Sequence, residues 1–267
     1  MSPTASEPDE SPRIEILGIP FWPITEAECV AHVAERAVRG VGGWMVTPNL
    51  DILRQCRADP ELHAMVRRAD LIVADGMPVI WASRIQGTPL PERVCGSNVI
   101  SSLSEVAARR GLRLFLLGGA DDTSTRTAEL FRQRYPGIDI VGAYGPPFGF
   151  ERDAGEMARI TAMVRDAEPN IVFVALPFPK GERMMQRIRH AAPSAWWCGV
   201  GVSFSFITGD VQRAPSWMQD HGLEWLHRLS QEPDRLARRY LVHGLPFAAE
   251  LLVRAQLARW RGRLRAR

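Results

Sequence analysis

The stretch LRLFLLGGADDTSTRTAELFRQRYPGIDIV, residues 112–141, decides how this chain folds. Its first part, Leu112 to Leu117, is a mostly apolar run too short for a helix, and it reads as a strand covered on both faces. Gly118-Gly119 breaks that run, Thr123 to Arg134 follows as a helix closed by Pro136, and Ile138 to Val141 is a second short apolar run. A helix between two strands returns the chain to the end of the sheet where it began, so the two strands run parallel.

Working outward, the same alternation recurs. Ile14 to Ile19, Trp44 to Thr47, Leu71 to Ala74, Ile171 to Leu176 and Ala195 to Val200 are further strand candidates. Thr25 and Glu28 form a capping box that opens a first helix, ended at Gly40. Ala58 to Arg68, Met77 to Gln86, Asn98 to Arg110 and Ala154 to Ala167 are the other expected helices. The fold class expected for residues 13–208 is therefore α/β, a Rossmann-like, mostly parallel sheet with helices on both faces and the catalytic core of the chain. After Thr208 no strand-like run appears. Pro215 to Ser230, Pro233 to Val242 and Leu245 to Arg263 read as helices, so residues 209–267 form a basic C-terminal helical appendage. Residues 1–12, rich in Ser, Pro and acids, are expected to be a disordered leader.

Composition narrows the function classes. With 46% apolar residues the chain has ample material for a core, yet it has no long uncharged apolar run and no basic, apolar start. No membrane span and no export are expected. Cys29, Cys56, Cys95 and Cys198 show neither disulfide nor metal-ligand spacing, so a cytoplasmic protein without metal or cofactor is expected. Beyond Glu250 there are six arginines and no acid, with Leu251, Leu252 and Trp260 among them. That pattern suits a helix lying on an anionic bilayer, which predicts peripheral attachment to the inner face of the cell membrane. A dimer-packing helix or a nucleic-acid patch are the other uses of such a tail.

In open parallel sheets ligands bind outside the carboxyl ends of the strands, and the unusual residues collect there. Thr47-Pro48-Asn49 follows one strand, Asp75-Gly76 another, Gly118-Gly119 a third and Pro179-Lys180 a fourth. Gly118 and Gly119 would let backbone amides approach a phosphate, or they make a tight turn. Asp75 is either a working carboxylate beside buried surface or the N-cap of the helix from Met77. Thr47 and Asn49 carry the same ambiguity as turn and cap residues. Lys180 is the single lysine among 33 basic residues, so its survival is either chance or chemistry.

The segments T-P-N (47–49), A-D-G-M-P-V (74–79), P-L-P-E-R-V-C-G (89–96), L-F-L-L-G-G (114–119), P-K-G-E (179–182) and the long run from Arg213 to Tyr240 occur together in order. In this the chain resembles the WecG/TagA/CpsF family of bacterial glycosyltransferases. The resemblance implies transfer of a sugar, with inversion, from a UDP-sugar donor to a polyprenyl-diphosphate-linked sugar acceptor in surface polysaccharide synthesis. It implies Asp75 as catalytic base, Thr47, Asn49 and Arg93 as sugar-pocket residues, and Arg228, Arg235 and Arg238 as cations supplied by the appendage. Lys180 matches the motif and is expected to meet a phosphate or hold its loop. The chemistry is consistent with these residue types. A single displacement needs one carboxylate to take the acceptor proton, and without a D-x-D metal motif the leaving diphosphate must be met by cations and amides. Spacings of seven and three put the three arginines near one face if the Glu232-Pro233 turn only bends the helix. The sequence departs from the family at Gly181, where glutamine is usual, and at Val202 and Ser205. Two other readings compete: a sugar-nucleotide-binding protein without turnover, and a nicotinamide-dependent oxidoreductase, which the missing dinucleotide fingerprint disfavours. Whether the chain is a monomer or a homo-oligomer is open.

Overall fold

The computed structural model describes residues 12–120 and 122–265, and the side chains of all of these except 216, 220, 235, 262 and 265. Most of the expected leader therefore lies outside the described residues. The strands are β1 (Ile14–Ile16), β2 (Ile19–Phe21), β3 (Gly43–Val46), β4 (Leu71–Ile72), β5 (Arg113–Gly118), β6 (Asp139–Tyr144), β7 (Ile171–Ala175) and β8 (Trp196–Gly199). The helices through the core are α1 (Glu26–Val38), α2 (Leu50–Ala58), α3 (Pro60–Arg67), α4 (Met77–Gln86), α5 (Gly96–Arg110), α6 (Thr123–Arg134), α7 (Ala154–Ala167), α8 (Lys180–Ile188) and α9 (Ser203–Thr208). The appendage continues with α10 (Ser216–Asp220), α11 (Glu224–Gln231), α12 (Pro233–Ala237), a π-helical turn over Arg238–Gly244, and α13 (Leu245–Arg265).

Six strands form one parallel sheet in the order β4-β3-β8-β7-β5-β6. This is the α/β fold expected, with a strand order unlike the 3-2-1-4-5-6 of dinucleotide-binding folds. Successive side chains of each strand face opposite layers. Phe115 and Leu117 pack with Val46, Val174 and Trp197 among α2, α3, α4, α7 and α8, while Leu114 and Leu116 pack with Met45, Phe173 and Trp196 among α1, α5, α6 and α9. Both faces being buried is why β7 reads as an unbroken Ile-Val-Phe-Val-Ala.

Three expectations about elements are corrected. The run Ile14 to Ile19 is not a strand of the main sheet. It turns back at Leu17 and Gly18, both at positive φ, and forms the separate antiparallel pair β1-β2. The helix expected over Ala58 to Arg68 starts at Pro60, as α3, and an unexpected helix, α2, precedes it because Asn49 accepts the amides of Asp51 and Ile52 as an N-cap. The chain then restarts as α3 with Asp59 as cap and Pro60 in its first turn. The single helix expected over Pro215 to Ser230 is two, divided at Gly222, where φ is 73°. The capping box at Thr25 and Glu28 forms as read.

Gly118 ends β5 at φ 110°, and a Cβ there would lie 2.5 Å from the Ala175 carbonyl oxygen of β7. Gly118→Ala is thus expected to cost roughly 2 to 4 kcal/mol, from the left-handed backbone together with the overlap. Urea denaturation of the two proteins measures it, and an unchanged midpoint would mean the strand ends can part freely.

Candidate active site

Two backbone hydrogen bonds join three loops at the carboxyl ends of β3 and β4. The Asp75 amide donates to the Pro48 carbonyl at 3.1 Å, and the Val94 amide donates to the Ala74 carbonyl at 2.9 Å. Thr47-Pro48-Asn49, Ala74-Asp75-Gly76 and Arg93-Val94-Cys95 therefore lie side by side, although they are far apart in sequence. Gly96 lets this happen, since a Cβ on it would stand 3.2 Å from the Val200 Cα and 3.7 Å from the Thr47 hydroxyl.

Asp75 does not cap a helix. The N-cap of α4 is Gly76, at φ 101° and ψ 139°, and no side chain accepts from the first turn. Its carboxyl group instead lies under the influence of Arg93, Glu224, Arg213 and Arg228. Burial pushes its pKa from 3.8 up to about 7, offset in part by Arg93, raised further by Glu224, and lowered by Arg213 and Arg228. Water reaches part of the residue, so burial dominates without sealing the group off. Asp75 is thus a carboxyl with proton affinity suited to exchange near neutral pH, with three arginines around it.

Those arginines come from two directions. Arg93 Nη1 donates to Glu224 Oε2 at 3.1 Å. Arg213 Nη2 donates to Asn98 Oδ1 at 2.6 Å and approaches the Cys95 sulfur at 3.5 Å. Arg213 and Arg228 stand over the same Phe206 ring, 6.0 and 5.8 Å from its centroid. The Nε atoms of Arg213 and Arg228 are buried with no hydrogen-bond partner among the described residues.

The other expected site residues divide. Thr47 and Asn49 are half-buried beside Asp75, but the Asn49 oxygen is committed to the cap of α2 at 3.1 Å from both amides. Gly118 ends β5 and Gly119 follows it, four strands along the sheet from β4, or about 19 Å at about 4.8 Å per strand. They are not brought beside Asp75. The Gly119 amide donates to the Ala175 carbonyl of β7 at 2.8 Å, which continues the β5–β7 ladder by one residue. Lys180 follows the cis Phe178-Pro179 peptide and pairs with Glu151 at 2.9 Å, close to the rings of Phe148 and Phe150. This ion pair joins it to the segment after β6. Gly181 is packed against Leu176, whose carbonyl oxygen would lie 3.3 Å from an added Cβ. Arg238 is exposed, and the side chain of Arg235 lies outside the described residues. Arg239 rather than Arg238 turns inward, pairing with Asp51 at 3.1 Å.

Sequence reading missed Arg213, Glu224 and Arg239. The signal for Arg213 was present in the R-A-P triplet that opens the appendage. Nothing in the spacing marked the other two. Among the described residues no group of three or more His, Cys, Asp or Glu is gathered closely enough to hold a metal ion, and no helix is long and apolar enough to cross a membrane.

Comparison with known proteins gives matches over most of the chain. Residues 14–262 match the glycosyl transferase WecG/TagA/CpsF family. Over 197 residues the chain is 35% identical to an N-acetylglucosaminyldiphosphoundecaprenol N-acetyl-beta-D-mannosaminyltransferase of Bacillus spizizenii, covering 74% of each chain. Over 198 residues it is 33% identical to the protein of the same name from Bacillus subtilis, covering 74% of this chain and 75% of that one.

Proposed function

Because the chain belongs to the glycosyl transferase WecG/TagA/CpsF family, we propose that it moves a sugar, with inversion, from a UDP-sugar to a polyprenyl-diphosphate-linked sugar in bacterial surface polysaccharide synthesis. It is a glycosyltransferase by family. The observation that carries the finer reading is the uncapped Asp75 carboxyl with a pKa of about 7 among Arg93, Arg213 and Arg228. An acceptor hydroxyl beside that carboxyl loses its proton as its oxygen attacks the anomeric carbon from the face opposite the diphosphate. The bond to the diphosphate breaks in the same step, and its negative charge develops toward the arginines. A charge-assisted hydrogen bond of this kind contributes about 1.5 to 3 kcal/mol, so three cations supply a large part of what a metal would. Thr47 and Asn49 orient the sugar. Gly118 and Gly119 serve the far end of the donor, supported by the N-terminus of α6, which no side chain caps. Lys180 acts by holding its loop.

The names of the two relatives specify an N-acetylglucosaminyl-diphosphoundecaprenol acceptor and an N-acetylmannosaminyl group. Release of UDP from a panel of UDP-sugars, with a short-chain acceptor of that type, tests the proposal. Turnover with one donor supports it. Binding of UDP-sugars without UDP release in any combination would favour the non-catalytic reading.

Membrane contact is proposed for α13, with the chain peripheral on the inner membrane face. One side of this helix is core, since Phe247, Leu251 and Ala255 are buried. The opposite side carries Val253, Leu257, Trp260 and Leu264, all exposed, with Arg254, Arg261 and Arg263 beside them. Truncation would open the core, so substitution is the better probe. The double variant Leu257→Ser and Trp260→Ser is expected to keep its melting temperature and lose most of its flotation with anionic liposomes. Undiminished flotation would remove α13 as the anchor.

A further inference from the structure

Glu224 is used by nothing described so far. It opens α11 and stands 131 positions from Arg93, yet it accepts the Arg93 guanidinium at 3.1 Å with only 14% and 21% of the two side chains exposed. One cation thus interacts with two carboxylates, by a hydrogen bond with Glu224 of the appendage and by charge with Asp75 of the core. We propose that Glu224 is a positioning residue for the transfer: it holds Arg93 from the appendage side, so that this cation does not commit to Asp75, and it ties α11, with Arg228, beside Asp75.

The backbone supports this placement. Gly222 lets the appendage approach the start of α4, since a Cβ on it would stand 2.7 Å from the Cβ of Met77, two residues after Asp75. Glu224 lies in the first turn of α11, where the helix dipole favours a carboxylate, and Arg228 is one turn further on the same face. The charged groups that face Asp75 are Arg93 from its own side of the cleft and Arg213, Glu224 and Arg228 from the appendage side, with the Cys95 thiol adjacent. Three cations therefore face two carboxylates. Removing Glu224 takes away the negative charge that raises the Asp75 pKa, which favours the ionised form of Asp75 and makes it a weaker base.

The inference rests on Asp75 as base, and the pH dependence of kcat/KM in the full-length protein tests it. For Glu224→Gln the acid limb is expected to move to lower pH, and kcat on the plateau to fall roughly threefold to tenfold, by more than KM changes. Glu224→Asp keeps the charge and is expected to return the limb toward wild type. An acid limb of Glu224→Gln that coincides with wild type would overturn the proposal, even with a lower rate, because loosening the appendage alone does not change the proton affinity of Asp75. If Glu224→Gln fails to fold, the Glu224→Asp profile decides, and a limb displaced to lower pH would overturn it. Asp75→Asn in the same assay keeps the two readings apart: full activity there refutes the base, whereas the Glu224 profiles speak to Glu224.

Discussion

Asp75→Asn is expected to slow transfer by about a hundredfold to ten-thousandfold, the range for loss of a general base, while making the folded protein more stable at neutral and alkaline pH. The loss follows from the proposed step, since the amide cannot take the acceptor proton. The gain follows from burial. The folded-state pKa of Asp75 is about 7 against an ordinary 3.8. Below the lower value the group is protonated in both states and costs nothing. As pH rises toward the higher value the unfolded chain ionises and the folded one resists, so stability is lost across that window and the loss is complete above it. About three pKa units correspond to at most about 4 kcal/mol, and water at the half-buried residue makes on the order of 2 kcal/mol the better expectation. Urea midpoints at about pH 5 and pH 8 measure this. The variant should gain little at the first and clearly at the second. Glu182, also raised to about 7 by burial, keeps its own pH dependence in both proteins. A variant that loses activity and stability together would mean Asp75 is a structural residue.

Arg93→Ala is expected to combine a large loss of activity with a loss of stability. Glu224 would keep a largely covered carboxylate with its partner gone, and breaking one side of such a pair typically costs about 3 to 5 kcal/mol. At the same time Asp75 would lose the strongest influence holding its pKa down. Its acid limb should therefore move to higher pH, leaving less of the ionised base at neutrality. This is the opposite direction from Glu224→Gln. The sign separates the two roles, since a damaged fold alone gives no reason for the limbs to diverge. Thermal melts and kcat/KM against pH on the same preparations provide the check.

The sheet was legible because its strands are buried on both faces, which leaves runs such as Ile171 to Ala175 with no polar residue to confuse the period. The role of Asp75 was not decidable from its neighbours, because both a base and a helix cap call for an aspartate before a helix. The backbone settles the cap alone: Gly76 takes that position at positive φ. The appendage was read with the least success, for a geometric reason. A spacing of seven and three places Arg228, Arg235 and Arg238 on one face only if the helix keeps 3.6 residues per turn. The chain instead breaks at Glu232-Pro233 and widens into a π-helical turn from Arg238, which shifts the phase, so that Arg239 meets Asp51 and Arg238 faces solvent. Glu224 was invisible because its meaning lies in a partner 131 residues away.

The same geometry explains why the glycines of residues 118 and 119 attracted attention without joining the carboxyl group. Close approach of β5 to β7 requires Gly118, whatever else binds there. A glycine pair after a strand thus reports a tight crossing first and a phosphate second.

The most direct test of a single displacement with one carboxylate base is the configuration of the product. Wild-type protein, given a UDP-sugar whose sugar is alpha-linked to the diphosphate and a short-chain lipid-diphosphate acceptor, should yield a beta-linked product by the NMR coupling and chemical shift of the new anomeric centre. An alpha-linked product would require two displacements or an internal return, and would contradict Asp75 acting as the base of one inverting step.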